Sequence, residues 1–177
     1  MALQHHHLDD RTRKLMLAEI EQDIASNKLY LSDNLSPQGR IEYPGLLKGA
    51  ALNGNDAMLA QELSTRLNSH EKPRQLKSGE LSKPPIMRVN AQEMLAEGEF
   101  NRFYMRAICA RVIEDGIKSV VVYRAKEVAN ARSASEEMLG KHVPPEALLQ
   151  DLRTHPGVDT ARGLLLSPNS GLCIRLP

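Results

Sequence analysis

The sequence of 177 residues predicts an α+β protein, with a helical N-terminal half and a long central helix packed on a small β-sheet. Apolar residues recur at helical spacing through residues 1–68. A long helical segment, from about Ala91 to Glu114, contains both phenylalanines of a chain that is only 3% aromatic. The run Lys118–Ala125 follows a glycine turn and has the valine-rich composition of a strand. A helical N-terminal half followed by a region that contains both a helix and strands is typical of the α+β class.

The first predicted helix covers residues 9–26. Asp9 or Asp10 can cap it, because a carboxylate accepts hydrogen bonds from the free N–H groups of the first turn. Its apolar residues share one side of the helix and are predicted to be buried: Leu15, Met16, Ile20 and Ile24.

A second helix is predicted to begin at Ser36-Pro37 and to run to about Leu52. Serine is a preferred cap, and proline loses no hydrogen bond at the first helical position. Pro44 predicts a break near Tyr43, and Gly54 suits a left-handed stop.

A third helix then begins at Asn55 or Asp56. Its predicted buried stripe consists of Met58, Leu59, Leu63 and Leu67.

Residues 69–85 differ from the rest of the chain, because they contain three prolines and almost no large apolar side chain. This composition predicts a basic loop or linker and the best domain boundary in the chain. The predicted organisation is therefore a helical N-terminal region at residues 1–68, the loop at 69–85 and an α+β core at 86–177.

Three segments of the α+β core are predicted to form its sheet: Ile86–Val89, Lys118–Ala125 and Leu172–Leu176. Pro144-Pro145 predicts the start of a short helix with inward-facing leucines. Aromatic residues are scarce in this chain, and three of its six lie in the central helix. The rest of the domain is therefore predicted to pack around that helix. The predicted core packing residues are Phe100, Phe103, Tyr104, Ile108 and Val121.

Composition argues against several classes of protein. The formal net charge of +1 gives no global attraction to nucleic acid or membrane, and no apolar run is long enough to span a bilayer. Cys109 and Cys173 are isolated in sequence, so we expect two buried thiols, no zinc site and no other cofactor. Cytoplasmic synthesis is expected. The run His5–His7 is interpreted as a solvated end or tag remnant, with a metal-binding tail as the alternative.

No catalytic motif is complete, so the chain is predicted not to be an enzyme. Residues 54–59 lack the lysine and second glycine of a phosphate-binding loop. His155 lies four residues after Asp151, but at a helix end a histidine usually interacts with terminal carbonyls. Glu99 and Arg102 have the spacing of an ion pair on one helix.

The alternative function that the charges suggest is that of a small nucleic-acid-binding or regulatory protein, which would use the basic loop at 72–88 and the arginine-bearing central helix. Residues 72–88 have a surplus of positive charge, and a flexible basic loop can contact phosphates without reading bases. Arginines on the central helix add a possible basic face. The candidate contacts to DNA or to a protein partner are Lys72, Arg74, Lys77, Lys83, Arg102 and Arg106.

Several strings are distinctive: LYLSDNLSPQGRIEYPGLL at 29–47, LAEGEFNRFYMRAICARVIEDG at 95–116, VVVYRAKEVANARSASEEMLGK at 120–141, and LLQDLRTHPGVD with PNSGL toward the end. In these strings the chain resembles a family of small, uncharacterised structural proteins of bacteriophages and prophages. The resemblance implies a head- or neck-associated subunit of a phage particle. The implied partners are capsid or portal/neck proteins, with other copies of the chain in a homo-oligomeric assembly, and the implied location is the virion.

Overall fold

The structure is a computed structural model that describes residues 2–127, 133–156 and 171–177. It confirms the predicted α+β class, since a helical first half precedes a central helix that packs on a small antiparallel sheet. The helices are α1 (Asp10–Ala25), α2 (Pro37–Asn53), α3 (Asp56–Leu63), α4 (Ala91–Glu114), α5 (Ser133–Glu136) and α6 (Pro145–Thr154). The strands are β1 (Val120–Arg124), β2 (His142–Val143) and β3 (Leu172–Arg175).

Side-chain caps begin the first three helices, as the sequence predicts. In each, a side-chain oxygen accepts a hydrogen bond from a backbone N–H three residues later. The pairs are Asp9 with Thr12 at 3.0 Å, Ser36 with Gly39 at 3.0 Å, and Asn55 with Met58 at 2.9 Å. The predicted apolar stripes are buried in their middle and exposed at two helix ends, where Ile24 and Met58 reach solvent.

Helix α2 continues through Pro44, so the predicted break near Tyr43 is wrong. Tyr43 and Leu47 are completely buried, and their burial outweighs the loss of one helical hydrogen bond. Gly54 has a φ of −128°, so it is not the left-handed stop that the sequence suggests. Its N–H instead donates to the carbonyl of Ala50 at 2.9 Å.

Helix α4 lies at the centre of the molecule and packs against α1, α3, α6 and the sheet. Phe100, Phe103, Tyr104 and Ile108 are each at most 1% exposed, which confirms them as core residues. The helix ends before Gly116, whose φ of +70° is a left-handed conformation that suits glycine.

Strand β1 lies between β2 and β3 and is antiparallel to both. Val120 and Val122 are buried, whereas Val121 is only half-buried. The prediction of Val121 as a core residue is therefore wrong, because successive strand residues point to opposite faces and its neighbours take the inner one. The register pairs Val122 with Ile174 of β3.

The segment Ile86–Val89 is not part of this sheet, contrary to the prediction. Ile86 forms a bridge with His70 instead, and Ile86 and Val89 are 78% and 95% exposed. The predicted N-terminal region and α+β core contribute side chains to one continuous hydrophobic core. None of the described helices combines the length and the apolar character needed to cross a lipid bilayer.

Candidate functional site

Residues 69–89, here called the arm, form a two-stranded antiparallel ribbon between α3 and α4. Bridges join His70 to Ile86 and Gln75 to Leu81. Three backbone hydrogen bonds of 2.8 Å hold the same register along the ribbon: Glu71 N–H to Pro85, Ser82 N–H to Arg74, and Leu76 N–H to Glu80. The basic loop of the sequence analysis is therefore an ordered hairpin, and the Ile86–Val89 segment belongs to its returning strand.

The arm has no buried residue anywhere along residues 69–89, all of which the structure describes. Its large branched apolar side chains are instead turned to solvent. They are Leu76, Leu81, Ile86 and Val89, with exposed fractions of 48%, 70%, 78% and 95%. Because a lone two-stranded ribbon is at best marginally stable in water, this arrangement is typical of a segment that packs against something else.

The four basic arm residues predicted as contacts fall into two groups. Lys72 and Arg74 form ion pairs within the chain, with Asp33 at 2.8 Å and Glu71 at 3.3 Å. Lys77 and Lys83 form no ion pair with any described residue, and both are exposed. The second group has charges that are available to a partner.

Arg102 and Arg106 cannot contact DNA or a partner, so this part of the prediction is wrong. Arg106 is fully buried, and its guanidinium donates hydrogen bonds to the carboxylates of Glu19 at 2.8 Å and Asp23 at 2.7 Å. Arg102 is 5% exposed and donates to the carbonyl of His155 at 2.7 Å. Glu19 and Asp23 lie four residues apart on α1, a spacing that could have identified them as a buried receiver for an arginine.

The histidine run lies against the domain, with His5 and His7 half-buried and His6 exposed, so its interpretation as a solvated end is wrong for His5 and His7. The ring of His5 lies 5.3 Å from that of Phe100 and 4.4 Å from that of Tyr104, and the ring of His6 lies 4.4 Å from that of Tyr123. Burial lowers the pKa of His5 to about 4. Among the described residues, no group of three or more potential ligands could hold a metal ion.

Other acidic and histidine side chains that could act as acids or bases have partners within the chain, and the two thiols are buried. At the end of α6, Nδ1 of His155 lies 2.9 Å from the carboxylate oxygen Oδ1 of Asp151 and 3.3 Å from its backbone carbonyl oxygen, so the expected contact with a terminal carbonyl is accompanied by the side-chain pairing. Glu114 pairs with Arg11 at 3.0 Å. Cys109 and Cys173 are buried free thiols, and burial raises the pKa of Cys173 to about 12.

A pocket of about 220 Å³ opens at the base of the arm, between residues 30–34 and the first turns of α4. Tyr30 and Asn34 line one side, and Met94 and Leu95 line the other. Glu99 also lines the pocket and is only 4% exposed. The spacing of Glu99 and Arg102 predicts an ion pair on one helix, but spacing along a helix does not show which pairs are buried.

The Arg102 guanidinium lies beside the carboxylate of Glu99, with its Nε 3.5 Å from Oε1, and Arg106 and Asp23 are further charged neighbours. That distance is longer than a strong charge-assisted hydrogen bond. Burial raises the pKa of Glu99, and the charge of Arg102 opposes this shift. Glu71 and Arg88, which also line the pocket, are paired at 2.9 Å. The pocket thus places a buried carboxyl group beside the apolar side chains of Met94 and Leu95.

Comparison of this chain with protein family models, with curated proteins and with solved structures finds no match. The resemblance to phage structural proteins therefore stays a prediction, and the function is argued from the geometry of the arm and the pocket.

Proposed function

We propose that this chain is a non-enzymatic structural subunit of a phage or phage-like particle, and that it binds neighbouring subunits through the arm. The main support is the arm itself, an ordered ribbon that has no buried residue and that exposes its branched apolar side chains to water. Burial of such side chains against a neighbour gives a favourable free energy that the isolated chain lacks.

The composition of the arm also indicates the kind of surface it binds. Between residues 72 and 84, four basic residues stand against Glu80 alone. A neighbouring surface that combines apolar area with carboxylates would match both features. The expected neighbours are capsid or portal/neck proteins and further copies of this chain, which would be made in the cytoplasm and assembled into the virion.

Particle association tests this proposal. We would purify particles from a strain that carries the gene and compare the wild-type chain with the triple variant Leu76→Ser, Leu81→Ser and Ile86→Ser. Wild type should co-purify at a fixed ratio to the capsid or portal protein, and the variant should remain in the unassembled fraction. Ile41→Ser is the matched control, because Ile41 is an equally exposed apolar residue on α2, 74% accessible. Equal incorporation of the triple variant would contradict the proposal.

The charges of Lys77 and Lys83, which are exposed and have no ion pair within the part of the chain that the structure describes, favour a second candidate function, contact with a nucleic-acid backbone. Such binding should weaken steeply as salt is added, because each phosphate contact releases counterions. Changing Lys72, Arg74, Lys77 and Lys83 together to alanine should abolish it. The matched control removes four lysines outside the arm, Lys14, Lys48, Lys118 and Lys141. Equal DNA affinity of the two quadruple variants would exclude the arm as a DNA contact.

A further inference from the structure

We propose that residues 2–8, here called the strap, form a pH-sensitive switch: the strap lies on the domain while the ring of His5 is neutral, and it leaves the domain, without unfolding it, when that ring takes up a proton. The inference goes beyond the proposed function, because the strap and the arm are separate parts of the chain. It gives a role to the histidine run, which the proposed function does not use.

Hydrogen bonds and one buried side chain hold the strap on the domain. The N–H of Leu3 donates to the carboxylate of Asp56 at 3.0 Å, and the Leu3 side chain is buried. The N–H of Gln4 donates to the carbonyl of Ala125 at 2.9 Å, and the hydroxyl of Tyr123 donates to the carbonyl of Gln4 at 2.6 Å. These bonds anchor the strap but do not depend on the charge of a histidine ring.

The ring of His5 lies in a position that fits its neutral form. Nδ2 of Asn101 donates to the carbonyl of Leu172 at 2.9 Å, so the amide oxygen of Asn101 faces His5. Because an amide oxygen only accepts, Nε2 of His5, 3.3 Å away, carries the proton. Nδ1 is then an unprotonated nitrogen that is buried and has no hydrogen-bond partner among the described residues. A proton added there creates a buried charge and a donor without an acceptor.

The surroundings of His5 supply no negative charge to a protonated ring. Helix α4 contributes the rings of Phe100 and Tyr104, and burial raises the pKa of Tyr104, so its hydroxyl is uncharged in acid. The charged groups that act on the ring are Arg13 of α1 and His6 of the strap, with no carboxylate from the described part of the chain. Burial is the main reason that the pKa of His5 falls to about 4.

This low pKa makes the strap bind more weakly as the pH falls. The pKa of a solvated histidine is 6.5 and that of docked His5 is about 4, so released straps take up protons more readily than docked ones. The docking equilibrium constant keeps its full value above pH 6.5 and falls about tenfold for each pH unit below it, by about 300-fold in total at pH 4 and lower. The strap is released at the pH where this loss exceeds the docking constant at neutral pH.

His7 and Asp56 are further titratable groups at the strap. Burial lowers the pKa of His7, and the charge of Asp9 opposes this shift. Burial raises the pKa of Asp56, and the hydrogen bond from the N–H of Leu3 opposes this shift. Separate replacement of each group therefore identifies the one that controls release.

A spin label on the strap measures its release. Gln4→Cys is labelled with a nitroxide, because Gln4 is exposed and both native cysteines are buried. Electron paramagnetic resonance spectra and helical circular dichroism are recorded on the same samples from pH 7 to pH 4. We expect a label that is immobile at pH 7 and mobile in acid, while the helical signal is unchanged. A label that stays immobile throughout, or a helical signal lost together with release, would overturn the proposal.

Two replacements of His5 in the labelled chain test its role. His5→Gln keeps a hydrogen-bond donor and His5→Phe keeps a ring, and neither side chain titrates. The variant that holds the strap at pH 7 should hold it down to pH 4, whereas His6→Gln, the matched control at an exposed neighbour, should release it as wild type does. Acid release that persists in the His5 variants and is lost in His7→Gln or Asp56→Asn would assign the switch to another group and contradict the proposal.

Nuclear magnetic resonance gives a second test on the wild-type chain. The imidazole resonances of His5 are assigned through bonds and followed over the same pH range. Protonation of His5 should coincide with release of the strap, as measured by the spin label. A ring of His5 that titrates while the strap stays docked would show that its charge does not control release.

Discussion

The body of the molecule and its arm place charged and apolar side chains in opposite ways. In the body, Arg106 is fully buried between the carboxylates of Glu19 and Asp23. In the arm, Leu81 and Ile86 are exposed to water. The buried charges of the body have their partners within the same chain. The exposed apolar side chains of the arm can be buried only against another chain.

This difference separates stability from function. Changes in the body should alter the free energy of unfolding, whereas changes in the arm should leave the fold intact and alter association. A large effect of the arm on folding, or a small effect of the buried charges, would break the comparison.

The largest expected effect on folding is that of Arg106→Ala. It leaves Asp23 as a buried carboxylate without its arginine partner and Glu19 with Arg153 alone. Breaking a buried ion pair in this way typically costs about 3–5 kcal/mol. Arg74→Ala is the matched change in the arm, where an exposed pair with Glu71 is lost, and should cost less than about 1 kcal/mol. Urea unfolding at neutral pH measures both. Similar losses for the two variants would show that the arginines of body and arm are energetically equivalent.

A smaller effect on the body depends on pH through His5. Its pKa is lowered from 6.5 to about 4 in the folded chain, so unfolding takes up a proton between these values. This contribution to stability is complete above pH 6.5 and decreases as the pH falls toward 4, by up to about 3 kcal/mol. Unfolding free energies measured from pH 7 to pH 4 for wild type and His5→Gln should converge as the pH falls.

The control for this pH dependence is His6→Gln, in the same run of histidines. Its pH profile should follow that of wild type, because His6 packs on Tyr123 rather than between Phe100 and Tyr104. If the unfolding free energy of His5→Gln falls with pH as steeply as that of wild type, the loss of stability at low pH comes from other groups, and the docking of His5 does not control it.

The smallest expected effect on folding is that of Leu81→Ser. This side chain is 70% exposed. The free energy of unfolding should therefore change by no more than about 0.5 kcal/mol, with a correspondingly small change in the melting temperature. Association should nevertheless weaken, because the apolar contact with the neighbour is lost. A melting temperature lowered by many degrees would mean that the arm packs on its own body.

The sequence predicted the helices well because their caps and apolar periodicity are local features, as Ser36 and Asn55 show. It missed the continuity of α2 through Pro44, since the burial of Tyr43 is a tertiary effect that outweighs a local preference. The half-buried position of Val121 depends on which face of β1 meets the core, which a run of valines does not reveal. The pocket could not be predicted, because Glu99 comes near Tyr30 and Glu71 only in the folded chain.

The hairpin of the arm escaped prediction for a different reason. Its register is set by hydrogen bonds across the ribbon, while Pro73, Pro84 and Pro85 give the sequence the composition of a linker. The apolar composition of Ile86–Val89 predicts a strand of the core sheet, because apolar strand residues usually face a core, but in the arm Ile86 faces solvent.

The most direct test of the account compares the molecular mass of the purified protein in solution with and without the outer part of the arm. Residues 72–84 are replaced by Asn-Gly, a two-residue turn that joins Glu71 to its partner Pro85. Sedimentation equilibrium should find dimers or larger assemblies for wild type and monomers for the shortened chain, with equal helical circular dichroism and melting temperature for both. Equal masses for the two chains over the same concentration range would contradict the claim that the arm is the contact surface.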